Sequence, residues 1–300
     1  MKVVLHFDGS DSLRERLAEK NVVLCPESDS AAFERLLPDM EVLWHVLKPV
    51  TAGVIARAPK LRLIQKIGSG VNTIDLEAAK KRGIAVCNLP GTNSRAVAEM
   101  TLLLMLACLR RLSQLNALVK TEGGWRNASA LQDRLGELGG RTVGLVGYGE
   151  VPRLLHPMLA AMGAAVRYWS RSRSSIDREK LIGTSDIVSL HLPFNADTRE
   201  LLDPWKMKRG AILINTARGG LVNEEELLKA LRGGHLGAAG LDVYASEPAR
   251  PDHPLLALPN VVATPHLAWL TQETLARSLE KALANVTRLE RGEPLLNRVA

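Results

Sequence analysis

The stretch Arg141–Arg171, RTVGLVGYGEVPRLLHPMLAAMGAAVRYWSR, restricts the possible folds more than any other part of the chain. It reads as strand, glycine turn, helix, strand. Val143, Leu145 and Val146 form a short apolar run, and Gly147-Tyr148-Gly149 turns the chain. Leu154, Leu155, Met158, Leu159 and Met162 then recur at helical spacing, and Gly163 ends the helix. Ala165–Trp169 is apolar and β-prone again. In such a βαβ unit the glycines let the backbone approach a pyrophosphate at a helix N-terminus, where free N–H groups and the helix dipole favour anions. The fingerprint is incomplete, because Pro152 stands where a third glycine belongs. Proline is sterically acceptable in a first helical turn, since its missing N–H would have no partner there. An ordinary tight βα turn would look the same, so the rest of the chain has to decide.

With 300 residues the chain has room for two domains, each with its own core. Apolar runs such as Met100–Leu109 are too short to span a bilayer, and the N-terminus reads as a first strand, not a signal peptide. The three cysteines, Cys25, Cys87 and Cys108, are far apart and form no metal pattern, so no metal site is expected and a reducing cytoplasm is. The net charge is +7, but the basic residues are scattered and only three phenylalanines and three tyrosines are present. That argues against a nucleic-acid stacking surface and suits a small anionic ligand.

Residues 1–93 alternate short apolar runs with helical patterns. Val3–Phe7, Val22–Cys25, Glu41–Leu47, Leu61–Ile67 and Ile84–Cys87 read as strands, with helices over 12–20, 30–37, 51–58 and 75–82 between them. This alternation implies a parallel sheet covered on both faces. Residues 94–119 read as one long, mostly buried helix. Gly123-Gly124-Trp125 follows, either as an arm toward a partner or as local cover. A second α/β unit has strands expected at 142–146, 165–169, 186–190, 211–215, 239–243 and 260–263. The helix over 272–291 is expected to return to the first unit. The fold expected is therefore α/β with two Rossmann-like domains and parallel sheets. A dinucleotide-binding domain, 94–270, is inserted into a discontinuous flavodoxin-like substrate domain, 1–93 and 271–300.

Polar groups cluster just past the strands of the second unit. Asn215-Thr216-Ala217-Arg218-Gly219-Gly220 carries an arginine. Asp242-Val243-Tyr244-Ala245-Ser246-Glu247-Pro248 carries two carboxylates, and Thr264-Pro265-His266 a histidine. Ligands bind at that edge of an open parallel sheet. Arg218 can hold a carboxylate or carbonyl oxygen in a fixed fork. His266 can move a proton near neutral pH, and a carboxylate beside it would orient the ring. In the first unit, Gly68-Ser69-Gly70 follows a strand and exposes backbone N–H groups that suit a small carboxylate.

With these residues in order, the chain resembles the D-isomer-specific 2-hydroxyacid dehydrogenases over nearly its whole length. The likeness rests on IGSGVNTID (67–75), VCNLPGTNSRAVAE (86–99), Val143–Gly149, SDIVSLHLP (185–193), INTARGGLV (214–222), GLDVYASEP (240–248) and Thr264–His266. The resemblance implies an Arg–Glu–His catalytic set on Arg218, Glu247 and His266, and usually a homodimer built around the cofactor domains. It implies that Ser69 and Gly70 offer N–H groups to the substrate carboxylate. Gly147, Gly149, Glu150 and Val151 would hold the pyrophosphate. Asp242, with Thr216 and Ala268, would orient the nicotinamide amide. Leu192 and Pro193 would border the adenine, and Thr101 would lie near the nicotinamide.

An acid after the second strand would bind the ribose 2′-hydroxyl of NAD. Here the chain reads Trp169-Ser170-Arg171-Ser172-Arg173. Arg171 and Arg173 could instead meet a 2′-phosphate, with Ser170 beside them in the cofactor site, or be surface charge; NADP is expected over NAD. The connection from Ser170 to Ser185 spans only sixteen residues, where the family usually has room for an extra short strand. Trp269 beside His266 resembles the glycerate dehydrogenase and hydroxypyruvate reductase branch and is a candidate substrate contact, together with Leu47, Lys48 and a partner copy's Trp125. The reaction implied is reversible hydride transfer between a nicotinamide and C2 of a small 2-oxo acid, with glyoxylate or hydroxypyruvate as first candidates. Two other readings stay open. One is the formate dehydrogenase branch, which needs no proton donor. The other is a non-catalytic, nucleotide-binding module like the family's corepressor relatives.

Overall fold

The computed structural model describes residues 1–300. It divides into two compact units, Met1–Asn93 with Thr271–Ala300, and Ser94–Leu270.

In the first unit, β1 (Val3–His6), β2 (Val22–Cys25), β3 (Val42–His45), β4 (Leu63–Lys66) and β5 (Ala85–Cys87) form a parallel sheet. Its order is β2-β1-β3-β4-β5, that of flavodoxin-like sheets. β1, β3, β4 and β5 are buried throughout, as strands covered on both faces must be. Between them run α1 (Asp11–Ala18), α2 (Ser30–Leu36), α3 (Ala52–Arg57) and α4 (Leu76–Lys81). Ser10, Asp29, Thr51 and Asp75 cap these helices by accepting a backbone N–H of the first turn. The long C-terminal helix Gln272–Arg291 belongs to this unit. Its Asn285 is fully buried and donates to Gln65 Oε1 (2.7 Å) and the Leu296 carbonyl (3.0 Å), so a satisfied polar network fixes its register.

The second unit opens with α5 (Ser94–Leu109) and α6 (Leu112–Leu118). The single helix expected over 94–119 is broken. Arg111 adopts a left-handed conformation (φ 51°), and its guanidinium donates to the Gly237 carbonyl at 2.9 Å. A tertiary anchor outside the helix thus overrides a locally helical sequence. After the short helix α7 (Gly124–Asn127), the sheet strands are β6 (Thr142–Val146), β7 (Ala165–Trp169), β8 (Ile187–Leu190), β9 (Ile212–Asn215), β10 (Ala238–Leu241) and β11 (Val261–Ala263). All pairs are parallel, in the order β11-β10-β9-β8-β6-β7. The helices between them are α8 (Glu150–Ala161), α9 (Arg178–Thr184) and α10 (Glu224–Arg232). β7 stands at the edge, because the sixteen residues from Ser170 to Ser185 suffice only for a turn and α9. The strand order reverses at β6, so the crevice past the carboxyl ends of β6 and β8 is the topological switch point.

Candidate active site

The glycine turn after β6 lies at that switch point. Gly147 has φ 100°, and a Cβ there would collide with the His191 carbonyl, which follows β8. Only glycine lets the two strand ends approach this closely. Gly149 differs, since a Cβ on it would meet nothing within 4 Å. α8 begins at Glu150, directly after this turn, and no side chain caps its first-turn N–H groups. The cradle therefore fits a diphosphate: one glycine is required by packing, the other leaves the approach clear. Pro152 sits buried in the first turn of α8, where no intrahelical N–H is lost. The Glu150 carboxylate accepts the Ser94 hydroxyl at 2.8 Å, and Val151 is half-buried.

At the end of β7, Ser170 is committed within its own turn. Its Oγ donates to the Arg173 carbonyl (2.5 Å) and accepts the Arg173 N–H (3.1 Å). Arg171 and Arg173 are exposed and carry no ion pair. The Arg178 guanidinium lies 5.4 Å from the Trp169 ring centroid. Leu192 is half-buried and Pro193 exposed past β8.

The Arg–Glu–His residues all lie past β9, β10 and β11. Asn215, at the end of β9, organises the arginine loop: its amide donates to the Arg218 carbonyl (2.9 Å) and its carbonyl accepts the Ala217 N–H (3.1 Å). The Arg218 guanidinium donates to the Ala217 carbonyl at 2.6 Å. Burial lowers its pKa, and the charge of Glu247 opposes that shift. His266 Nδ1 meets Glu247 Oε2 at 2.6 Å, while Glu247 Oε1 accepts the Tyr244 N–H at 2.9 Å. Burial raises the Glu247 pKa, but the bond to His266, its charge, the Tyr244 N–H and Arg218 outweigh it, and the net shift is downward.

Asp242 positions His266 from below. It is fully buried and accepts the Thr264 hydroxyl (2.6 Å), the Leu267 N–H (3.0 Å) and the Ala268 N–H (2.9 Å). Its carbonyl accepts the His266 N–H at 2.7 Å, and His266 takes up a left-handed backbone (φ 55°). These bonds over-determine a conformation that a non-glycine residue adopts at a cost of order 1–3 kcal/mol. The Thr101 and Thr216 hydroxyls lie 2.9 Å apart, and Thr101 also donates to the Val97 carbonyl. Trp269 is buried, 7% exposed, beside Ala268. Trp125 does not cover a local core, since it is 83% exposed. Ser69 and Gly70 belong to the first unit, where the Asn88 amide donates to the Ser69 carbonyl at 2.8 Å.

Sequence reasoning missed Asn215, Glu224 and His253. Glu224 accepts the Ala245 N–H at 2.8 Å and faces His253 Nε2 at 3.3 Å. Glutamate in a first helical turn and histidine among prolines are ordinary patterns, so no local signal separates these two from surface residues.

Comparison with known proteins places this geometry. Residues 102–268 match the family model described as D-isomer specific 2-hydroxyacid dehydrogenase, NAD binding domain. The chain is 35% identical to a glyoxylate reductase of Korarchaeum cryptofilum, over 97% of this chain and 89% of that protein. It is 36% identical to a hydroxypyruvate reductase of Thermotoga maritima, over 81% of this chain and 82% of the relative. Among solved structures it resembles the NAD-dependent formate dehydrogenase of Staphylococcus aureus in complex with NAD, with a TM-score of 0.88 and 27% identity. That match covers 100% of this chain and 99% of the other.

Proposed function

We infer the reaction from one premise: the chain belongs to the D-isomer-specific 2-hydroxyacid dehydrogenase family. We propose that it reduces a small 2-oxo acid to the D-2-hydroxy acid, with glyoxylate and hydroxypyruvate as first substrates. Two relatives named for those activities support this choice. The observation that carries the reading is the 2.6 Å contact between His266 and Glu247, with Arg218 on the neighbouring loop. A formate dehydrogenase needs no proton donor, and a nucleotide-sensing module needs no carboxylate–imidazole pair.

The residues divide the work. The nicotinamide supplies or accepts the hydride when bound. Gly147, Gly149 and the N–H groups of Glu150 and Val151 would hold its diphosphate. Arg218 binds the substrate carboxylate and polarises the C2 carbonyl. His266, oriented through Nδ1 by Glu247, presents Nε2 and gives its proton to the oxygen that becomes the hydroxyl. The Ser69 and Gly70 N–H groups would receive the substrate carboxylate. Trp269 would shape the substrate site from its buried position. Asp242, Thr216, Ala268 and Thr101 would seat the nicotinamide ring, and Leu192 and Pro193 would border the adenine.

NADP is the proposed cofactor, because Arg171 and Arg173 stand where an acid would select NAD. Reduction is then the working direction. A homodimer and a reducing cytoplasm complete the proposal; Cys25, Cys87 and Cys108 are all free and buried.

The test is direct. Purified protein is mixed with NADPH or NADH and a panel of 2-oxo acids, and nicotinamide absorbance is followed. Turnover of glyoxylate or hydroxypyruvate with a lower KM for NADPH is expected. His266→Ala should lower kcat by roughly 10²–10⁴ while cofactor binding persists. Near-normal turnover in that variant refutes the catalytic assignment, and a strong NADH preference refutes the NADP assignment.

A further inference from the structure

A second carboxylate–histidine pair lies directly behind the first. Glu224, in the first turn of α10, accepts the Ala245 N–H through Oε1 at 2.8 Å. Its Oε2 lies 3.3 Å from His253 Nε2, and both side chains are 20% exposed. The Leu255 N–H donates to His253 Nδ1 at 3.3 Å, which leaves Nε2 as the donor to Glu224. The His253 ring stands edge-on to Tyr244, with centroids 5.9 Å apart. The next N–H back along the chain, that of Tyr244, is bound by Glu247 itself at 2.9 Å. Two carboxylates therefore accept consecutive N–H groups of one peptide segment. On its other side that segment is pressed against the arginine loop, because a Cβ on Gly219 would collide with the Tyr244 carbonyl and the Ala245 nitrogen. The Tyr244–Ala245 peptide is thus the joint between the loops that carry Arg218 and Glu247, and Glu224 is the side chain that grips it.

We propose that Glu224, steadied by His253, is a positioning residue for the acid–base pair: it fixes the peptide from which Glu247 is presented to His266. Glu224 touches neither substrate nor cofactor in this role. Without it the Ala245 N–H turns toward water, the Tyr244 N–H shifts with it, and the Oε1 anchor of Glu247 loosens. Burial, and after it the charges of Asp242, Glu247 and Glu224, push the Tyr244 phenol up to about 12. His253 steadies Glu224 by donating its Nε2–H to Oε2.

The inference rests on the reductase reading above, and its test can be separated from it. The Glu247 side-chain carboxyl is followed by 13C NMR as a function of pH without substrate, the signal being assigned by its loss in Glu247→Gln. In wild type it titrates below the ordinary glutamate range, because the Tyr244 N–H and His266 hold the charged form. In Glu224→Ala the titration should move up toward the ordinary range. In Glu224→Gln, whose amide oxygen still accepts the Ala245 N–H while its NH2 meets the His253 Nε2–H, it should move less than in Glu224→Ala. His253→Ala should move it in the same direction as Glu224→Ala but less, and it keeps the question open to test if Glu224→Ala folds poorly. In turnover, Glu224→Ala should lower kcat by about ten- to a hundredfold, the scale of a small misplacement at a reacting group. Its KM for the cofactor should stay within about twofold, and Glu224→Gln should restore most of the rate. An unmoved Glu247 titration in both Glu224→Ala and His253→Ala overturns the proposal, as does a Gln variant as impaired as the Ala variant. Absence of 2-oxo acid turnover in wild type would remove the reductase reading and leave the titration result standing.

Discussion

Glu247 uses its two oxygens on different tasks: one accepts a backbone N–H from its own loop, the other meets His266. Its pKa is lowered in the folded protein, so it stays charged to lower pH than in the unfolded chain. The sign of the consequence follows. Its contribution to stability is fully present above the ordinary glutamate value, about 4.3, and is lost as pH falls through the lowered value. The stability gap between wild type and Glu247→Gln, read by urea unfolding, should be constant from neutral pH down to about 5 and then shrink. A gap independent of pH would show that the carboxylate's charge is not what the fold uses. The same variant should lower kcat by roughly 10²-fold, since the amide no longer orients and balances a charged imidazole. The legible part of the site was its chemistry. Arginine, carboxylate and histidine past successive strands are visible as residue types in a βα pattern. Asn215, Glu224 and His253 were not, because they act by gripping backbone N–H and C=O groups. Which backbone group a side chain reaches depends on loop conformation, and no residue pattern encodes that.

At the scale of elements, the two turn glycines make a contrast that separates folding from binding. Gly147 is held at φ 100° against the His191 carbonyl. Gly147→Ala should cost about 2–4 kcal/mol in urea unfolding, from backbone strain and forced displacement of the loop after β8. Gly149 has φ −81° and open space around it. Gly149→Ala should change stability by no more than about 0.5 kcal/mol, as for a surface site. It should still weaken nicotinamide cofactor binding about tenfold or more by calorimetry, because the methyl occupies the diphosphate approach. Cofactor affinity unchanged in Gly149→Ala would mean that the diphosphate does not pass over this turn. Strands and helices were readable here because each buried strand is a short apolar run and every crossover helix but α8 starts at a side-chain N-cap. The break between α5 and α6 was not readable. The sequence around Arg111 favours helix, and the bond that overrides it comes from Gly237, far along the chain. Pro157 inside α8 is the reverse case: a residue that usually interrupts a helix is carried through one, exposed, on a helix that buries Leu155 and Leu159 on its other side.

For the molecule as a whole, the distribution of exposed apolar side chains is uneven. Leu103, Leu112, Val119 and Trp125 are 51%, 51%, 48% and 83% exposed, and all four lie on α5, α6 and α7 or the turns joining them. Apolar residues scattered singly need no explanation, but a group of four on consecutive helices does. A second copy of the chain is the occupant that the proposed homodimer supplies, and a two-fold axis would bring the same helices of both copies together. Light scattering should then give about twice the 32.7 kDa chain mass for wild type. Leu103→Glu places a charge in the group and should shift the mass toward a single chain, since an unpaired buried charge costs several kcal/mol at an interface. Trp125→Ala is expected to act differently. If the helix after Gly123 reaches the partner's substrate site, removing the indole should raise KM for the 2-oxo acid several-fold and leave the cofactor KM unchanged, because only interactions with the acid are lost. A wild-type protein that is a single chain at micromolar concentration would leave the apolar group without its proposed partner. A Trp125→Ala enzyme with wild-type KM for every acid would confine that residue to assembly alone.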